Sequence, residues 1–245
     1  MTGTKKAVVS DDVNGHRVGG EDNTETGLKY CPVCETTSDS FLTSGIVPRK
    51  NAKCGTCSAR ERHRLIWAYF EKMTDLFDGA SNKKMLHVAP EKAFEPRLRQ
   101  RLGEGYLTAD LYMSQAMVKM DITDIQYPDN TFDVIYCCHV LEHVEDDLLA
   151  MREFRRVLKP DGWAVLMVPV SADKTFEDPS VTDPQLRLKL FGQEDHVRLY
   201  GPDYIDRLKS SGFNVKLTRP DEFLSDAEIE RMWVKRRERI YFCTK

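Results

Sequence analysis

The chain has 245 residues, of which 41% are hydrophobic and 31% charged, and a formal net charge of −3. That length suits one sizeable core plus a small appendage, and the charge gives no bulk electrostatic reason to bind nucleic acid. No apolar run approaches the roughly 18 residues that a membrane helix needs, and Lys5-Lys6 is followed only by Ala7-Val8-Val9, too short for a signal-peptide core.

Residues 1–27 are polar, rich in Gly, Asp, Asn and Thr, and lack apolar periodicity; a disordered tail is expected. Residues 28–60 carry two cysteine pairs, Cys31-Pro32-Val33-Cys34 and Cys54-Gly55-Thr56-Cys57, 19 residues apart. Two such knuckles can supply four thiolates to one tetrahedral ion, and four thiolates leave no open position. The expected ligand is structural Zn²⁺ on Cys31, Cys34, Cys54 and Cys57. An odd total of seven cysteines also favours metal binding in a reducing, cytoplasmic compartment over a disulfide framework.

Arg60-Glu61-Arg62-His63-Arg64 follows directly. Arg60, Arg62 and Arg64 can grip a carboxylate or phosphate of a substrate; the alternative is a solvated helix face with internal Arg–Glu pairs. Leu65, Ile66, Tyr69, Phe70, Met73 and Phe77 recur at helical spacing, which predicts an amphipathic helix linking the cysteine module to the main domain over residues 61–82. The main domain, residues 83–245, reads as strands near 84–89, 106–110, 118–120, 132–136, 163–168, 213–217 and 239–243. Helices are expected near 94–102, 145–158, 184–190, 202–211 and 226–232. This alternation predicts an α/β fold: a doubly wound, parallel-rich sheet with helices on both faces.

The stretch from Phe132 to Pro169 is the most specific. Phe132-Asp133-Val134-Ile135-Tyr136 is a β-prone run, His139-Val140-Leu141-Glu142-His143 a turn, and Leu148, Leu149, Phe154, Val157 and Leu158 a helical stripe. Pro160-Asp161-Gly162 stops that helix, and Trp163 to Val168 suits a strand buried on both faces. Together they resemble the second half of the class I S-adenosylmethionine (SAM) methyltransferase domain, with its LEH-type turn and its "R-V-L-K-P-G-G" turn, Asp161 replacing the first glycine. Leu86-His87-Val88-Ala89-Pro90-Glu91, the cysteine module with Glu61-Arg62-His63-Arg64, and Gly192-Gln193-Glu194-Asp195-His196-Val197-Arg198 resemble a bacterial subgroup of that family. The likeness covers about residues 30–245 and implies a Rossmann-like, seven-stranded sheet.

The resemblance implies the cofactor site. His87, Ala89 and Glu91 line the first turn, where most relatives carry a glycine-rich loop and this chain has no glycine. Asp110 ends the second strand, where a carboxylate suits the ribose diol. Asp121 and Ile122 resemble the adenine clamp, and Cys138 and His143 complete the cofactor set. His139 and His196 are the expected catalytic bases, since a histidine titrates near neutrality and loops carry function; Arg198 joins the expected substrate contacts. The expected function is methyl transfer from SAM to a hydroxyl, amine or carboxylate of a small molecule or peptide, anionic acceptors included. A zinc-ribbon RNA methyltransferase is opposed by the acidic balance. A non-catalytic protein-binding module is favoured by the missing glycines and opposed by Asp110, Asp121 and the LEH turn.

Overall fold

The computed structural model describes residues 27–45, 47–79, 83–112 and 115–245; the expected N-terminal tail lies outside them, apart from Gly27. The cysteine module consists of two antiparallel hairpins: β1 (Lys29–Cys31) with β2 (Thr36–Ser38), and β3 (Leu42–Ser44) with β4 (Arg49–Lys53). These strands of three to five residues are too short to hold alone, and their buried side chains are drawn into the main core. Cys31, Val33, Phe41, Cys54 and Ala59 belong to one apolar cluster with Met85, Tyr136 and Trp163 of the central sheet.

The helix α1 (Glu61–Met73) differs from the linker that its periodicity predicts. His63 to Phe70 are all buried. Phe70 meets Tyr136 edge-on at 5.4 Å and Trp163 at 6.0 Å, while Trp67 packs on Phe94 at 5.7 Å. One face thus covers the sheet, and the rest is enclosed by the cysteine module and a late helix. Residues on a helix's second face read as polar spacing in the sequence, but here a second partner covers them.

The domain then alternates. In chain order come β5 (Met85–Val88), α2 (Glu95–Leu102), β6 (Tyr106–Asp110), β7 (Val118–Lys119) and β8 (Phe132–Cys138). Next are α3 (Asp147–Val157), β9 (Leu158–Met167), β10 (Phe176–Glu177), α4 (Pro184–Phe191) and β11 (Arg198–Leu199). The last are α5 (Tyr204–Ser210), β12 (Asn214–Thr218), α6 (Asp226–Met232) and β13 (Ile240–Thr244). Seven strands form one sheet in the order β12-β13-β9-β8-β5-β6-β7. β13 is antiparallel to both neighbours, and the pairs from β9 to β7 are parallel. This is the expected Rossmann-like sheet. β5 and β8 are buried almost throughout, as the continuous apolar runs required.

The helix before β9 ends at Val157, and the strand starts immediately at Leu158 rather than after the Pro160-Asp161-Gly162 turn. The ladder to β8 is irregular here, shifting register between Phe132 and Val134. Gly162 permits that path: a Cβ there would lie 2.7 Å from the carbonyl oxygen of Asp133. The short antiparallel pair β10–β11, which joins Phe176 with Leu199 and Glu177 with Arg198, was not legible in the sequence. No helix among the described residues is long and apolar enough to cross a membrane.

Candidate active site at the carboxyl edge of the sheet

In a doubly wound sheet, ligands sit beyond the carboxyl ends of the strands, where the strand order reverses. Here the reversal lies between β5 and β8, which pair in parallel. Both strands end in strained backbone: Ala89, just after β5, has φ 49°, and His139, just after β8, has φ 59°. For residues with a Cβ this left-handed region costs on the order of 1–2 kcal/mol each, and such strain gathers at functional sites. The first turn therefore keeps the left-handed conformation associated with glycine while carrying alanine. The absence of glycine removed the sequence signal but not the geometry.

Glu91 follows in the same turn. His87 Nε2 lies 2.7 Å from its Oε2, and Tyr136 donates its hydroxyl to Oε1 at 3.3 Å. His63 Nε2, from α1, stands 3.6 Å from Oε1. Burial opposes ionisation of Glu91, but the His87 hydrogen bond and the charges of His87, His63 and Arg62 outweigh it and hold the carboxyl below its usual range. His87 is fully buried, with Nδ1 2.7 Å from the Tyr106 hydroxyl. It thus supports Glu91 from within the core.

Asp110 ends β6, and its Oδ1 accepts the Tyr112 backbone N–H at 2.7 Å. Asp121 Oδ1 accepts the backbone N–H and the hydroxyl of Thr123, at 2.8 and 2.7 Å. Its neighbour Ile122 is packed in the apolar cluster beneath the sheet. Both acids thus have turns that fix their carboxylates at the sheet edge. Cys138 closes β8, and burial raises its thiol well above the usual range, which leaves it an uncharged packing residue at neutral pH.

The arginine cluster divides. Arg64 is wholly buried. Its Nε donates to the Met232 carbonyl at 2.6 Å, Nη1 to Ala52 and Ala59 at 3.4 and 2.9 Å, and Nη2 to Asn51 and Trp233 at 3.1 and 3.3 Å. Its guanidinium also covers the Phe41 ring at 4.0 Å. All its donors are used to tie the cysteine module to the end of α6, so the expectation of substrate contact is corrected. Arg60 is exposed, and its backbone N–H donates to His63 Nδ1 at 3.2 Å. Arg62 points to the sheet edge: its charge acts on Cys138, Glu91 and Tyr136, and its buried Nε has no hydrogen-bond partner. Arg198 is buried and donates to Glu177 and to the carbonyls of Leu141, Val144 and Glu145. It holds the LEH turn in place through these bonds.

His139 is about a third exposed and faces the edge, with Nδ1 3.8 Å from Glu142 Oε1. Burial and the neighbouring Arg62 charge lower its pKa, so the ring is neutral at physiological pH. His196 is 5% exposed, its Nδ1 is 3.0 Å from the Phe191 carbonyl, and its ring meets that of His143 edge-on at 4.6 Å.

In the cysteine module, the four expected thiols converge. Cys31 Sγ lies 3.6 Å from Cys57 Sγ and Cys34 Sγ 3.7 Å from Cys54 Sγ, and all four fall within 4.8 Å of one another. A tetrahedral zinc site with bonds of about 2.3 Å places sulfurs about 3.8 Å apart, so the donors fit. Their crowding divides their acidities: the contact with Cys57 raises Cys31, and the same contact lowers Cys57 to about 5.

The fold agrees with the comparisons with known proteins. The family described as "Methyltransferase domain" matches residues 71–166. Residues 71–166 of the chain thus resemble a methyltransferase domain. The chain is 35% identical to phosphoethanolamine N-methyltransferase 3 of Arabidopsis thaliana over 107 residues, which is 42% of this chain but 20% of the relative. Over 76 residues it is 34% identical to an uncharacterised methyltransferase of Schizosaccharomyces pombe, covering 29% of this chain and 27% of the other. It thus spans between a fifth and a third of the length of these curated relatives. A SAM-dependent methyltransferase from Mesorhizobium loti superposes with a TM-score of 0.50 at 17% identity, covering 73% of this chain and 96% of that one. The [4+2]-cyclase SpnF superposes equally well, TM-score 0.50 at 14% identity, over 79% and 86% of the two chains. The fold therefore accommodates different reactions, and the site has to carry the functional argument.

Proposed function

We propose that this chain transfers a methyl group from SAM to a hydroxyl, amine or carboxylate of a small molecule or peptide that carries an anionic group. One observation supports this reading above the rest: the ends of β5, β6 and β8 bring Ala89, Glu91, Asp110, Cys138 and His139 to one edge, with strained backbone at two of the three strand ends. SAM would supply the electrophilic methyl. The protein's share is then positioning and proton removal.

Asp110 accepts hydrogen bonds from the ribose hydroxyls, and Asp121 with Ile122 receives the adenine. The left-handed turn at Ala89 lets the backbone approach the methionine portion, and Glu91, held ionised, faces its positive charge. His139, neutral and partly open, takes the proton of the acceptor. Arg62 offers its unpartnered Nε to a carboxylate or phosphate on the acceptor. The relative named for phosphoethanolamine bears a phosphate and an amine in one small molecule, which is the class of acceptor this pairing suits. The four cysteines hold structural Zn²⁺, which keeps the root of α1, and so Arg62, in place.

The test has two arms. Calorimetry should show SAM binding that Asp110→Ala weakens. A panel of acceptors matched except for one phosphate or carboxylate should show turnover only with the anionic members, and Arg62→Ala should erase that preference. No SAM binding, or equal turnover of both sets, would refute the corresponding arm.

A further inference from the structure

The LEH turn holds a second group of metal-ligating side chains, separate from the cysteines. Glu142, His143 and His196 each place one ligand atom within 4.8 Å of the others. Two of the three are deeply buried, Glu142 at 1% and His196 at 5% exposure. Glu142 Oε2 and His196 Nε2 have no hydrogen-bond partner. Burying one such atom without a partner costs on the order of 1–3 kcal/mol. Two such atoms within one cluster of candidate ligands is the pattern a cation would relieve.

The surrounding bonds also favour ligation. His196 Nδ1 lies 3.0 Å from the Phe191 carbonyl and His143 Nδ1 3.1 Å from Asp195 Oδ2. His196 therefore uses Nδ1 on an oxygen, which puts its proton there and leaves its Nε2 lone pair free, and the His143 ring stands beside the Asp195 carboxylate. A carbonyl or carboxylate behind the ring is the usual support of a ligating histidine. The two segments are also fixed to each other. Val197 donates its backbone N–H to the Glu142 carbonyl at 2.9 Å, and Arg198 donates to the Leu141 and Val144 carbonyls on either side. The three side chains are thus held on a clamped turn rather than on free loops.

We propose that Glu142, His143 and His196 form a divalent transition-metal site at the mouth of the active site. Two imidazoles and one carboxylate, without thiolate, suit Zn²⁺, Co²⁺, Fe²⁺ or Mn²⁺ in preference to Mg²⁺ or Ca²⁺. Three protein ligands leave positions open to water or to an oxygen of the acceptor. The site stands three residues beyond His139 along the chain, with Glu142 Oε1 facing the His139 ring and Oε2 turned elsewhere. It is therefore distinct from the tetrathiolate module and does not depend on the identity of the acceptor.

Co²⁺ is the probe, because its visible spectrum separates thiolate from nitrogen–oxygen coordination. Full-length protein carrying one zinc per chain is freed of weaker metal with a mild chelator and titrated with Co²⁺. One further equivalent should bind, giving weak visible bands without thiolate charge transfer. His196→Ala and His143→Ala should each weaken that equivalent by about 100-fold or more, at the upper end of the range for disturbed metal sites, while the zinc equivalent stays. His143 is the more exposed of the two, so its variant serves if His196→Ala does not fold. Absence of a saturable second equivalent, a thiolate band in it, or unchanged affinity in a folded variant would overturn the proposal. SAM binding, measured on the same samples, separates this outcome from failure of the methyltransferase reading.

Discussion

His63 Nε2 lies 3.6 Å from Glu91 Oε1, joining the helix that leaves the cysteine module to the turn after β5. The Arg60 backbone N–H donates to His63 Nδ1, so the neutral ring carries its proton on Nε2, toward the carboxylate. Two parts of the chain, 28 residues apart in sequence, therefore share one buried polar contact.

Burial of His63, opposed by the Glu91 charge, makes the fold acid-sensitive in a defined window. Burial lowers the His63 pKa from 6.5 to about 4. The unfolded chain takes up this proton first as pH falls, so the stabilisation is complete above about 6.5 and is lost down to about 4. Chemical denaturation should show a loss on the order of 2–3 kcal/mol over that interval. His63→Gln should flatten the slope. An equal slope in wild type and variant would place the sensitivity elsewhere. Glu91, whose pKa is depressed, adds its own loss only below the ordinary carboxylate range.

Arg64→Ala should destabilise the protein by about 3–5 kcal/mol, because a buried cation and its carbonyl partners are separated. Arg64→Lys should recover little of this, since an ammonium cannot span carbonyls from three segments as a planar fork does. Thermal melting decides the matter. A stable Arg64→Ala enzyme with a raised acceptor KM would restore the substrate role.

Arg62→Ala carries the opposite expectation. Its Nε has no hydrogen-bond partner to lose, so the fold should lose less than in Arg64→Ala. The acceptor KM should rise about 10- to 100-fold, the loss of a charged hydrogen bond, with the SAM KM little changed. Steady-state kinetics with an anionic acceptor would read this directly.

Asp110→Ala should weaken SAM binding by about 1.5–3 kcal/mol through loss of charge-assisted bonds to the ribose. An unchanged dissociation constant would mean that the diol lies elsewhere.

Ala89→Gly should leave the melting temperature unchanged or higher. Relief of a left-handed alanine, φ 49°, gains about 1–2 kcal/mol, and the extra freedom of glycine in the unfolded chain offsets about 0.5–1 kcal/mol of it. Ala89→Val should lose stability, since a β-branched side chain fits that region poorly. A tolerated valine would show that the turn can relax.

Much of this protein was legible in its sequence because the relevant signals are local. Apolar runs located all seven strands of the central sheet: β6 at Tyr106–Asp110 matches the expected range, and β8 and β9 extend the expected ones. The cysteine spacing identified four thiols that do converge. Strand ends placed Asp110 and His139 at the carboxyl edge, because a parallel sheet orients every strand end the same way.

What the sequence could not decide depends on partners far away along the chain. Arg62 and Arg64 are two positions apart in one charged run, yet helical geometry sends them to different faces. Arg64 meets carbonyls at Met232 and Trp233, and Arg62 meets the sheet edge. Arg198 and His87, expected to touch substrate and cofactor, are likewise buried in the tertiary structure. The triad of Glu142, His143 and His196 exists only because Val197 and Arg198 bond to the LEH turn across more than 50 residues. Periodicity and spacing fix which elements form. Which polar side chains bind ligands and which only hold the fold is set by the long-range hydrogen bonds that consume their donors and acceptors.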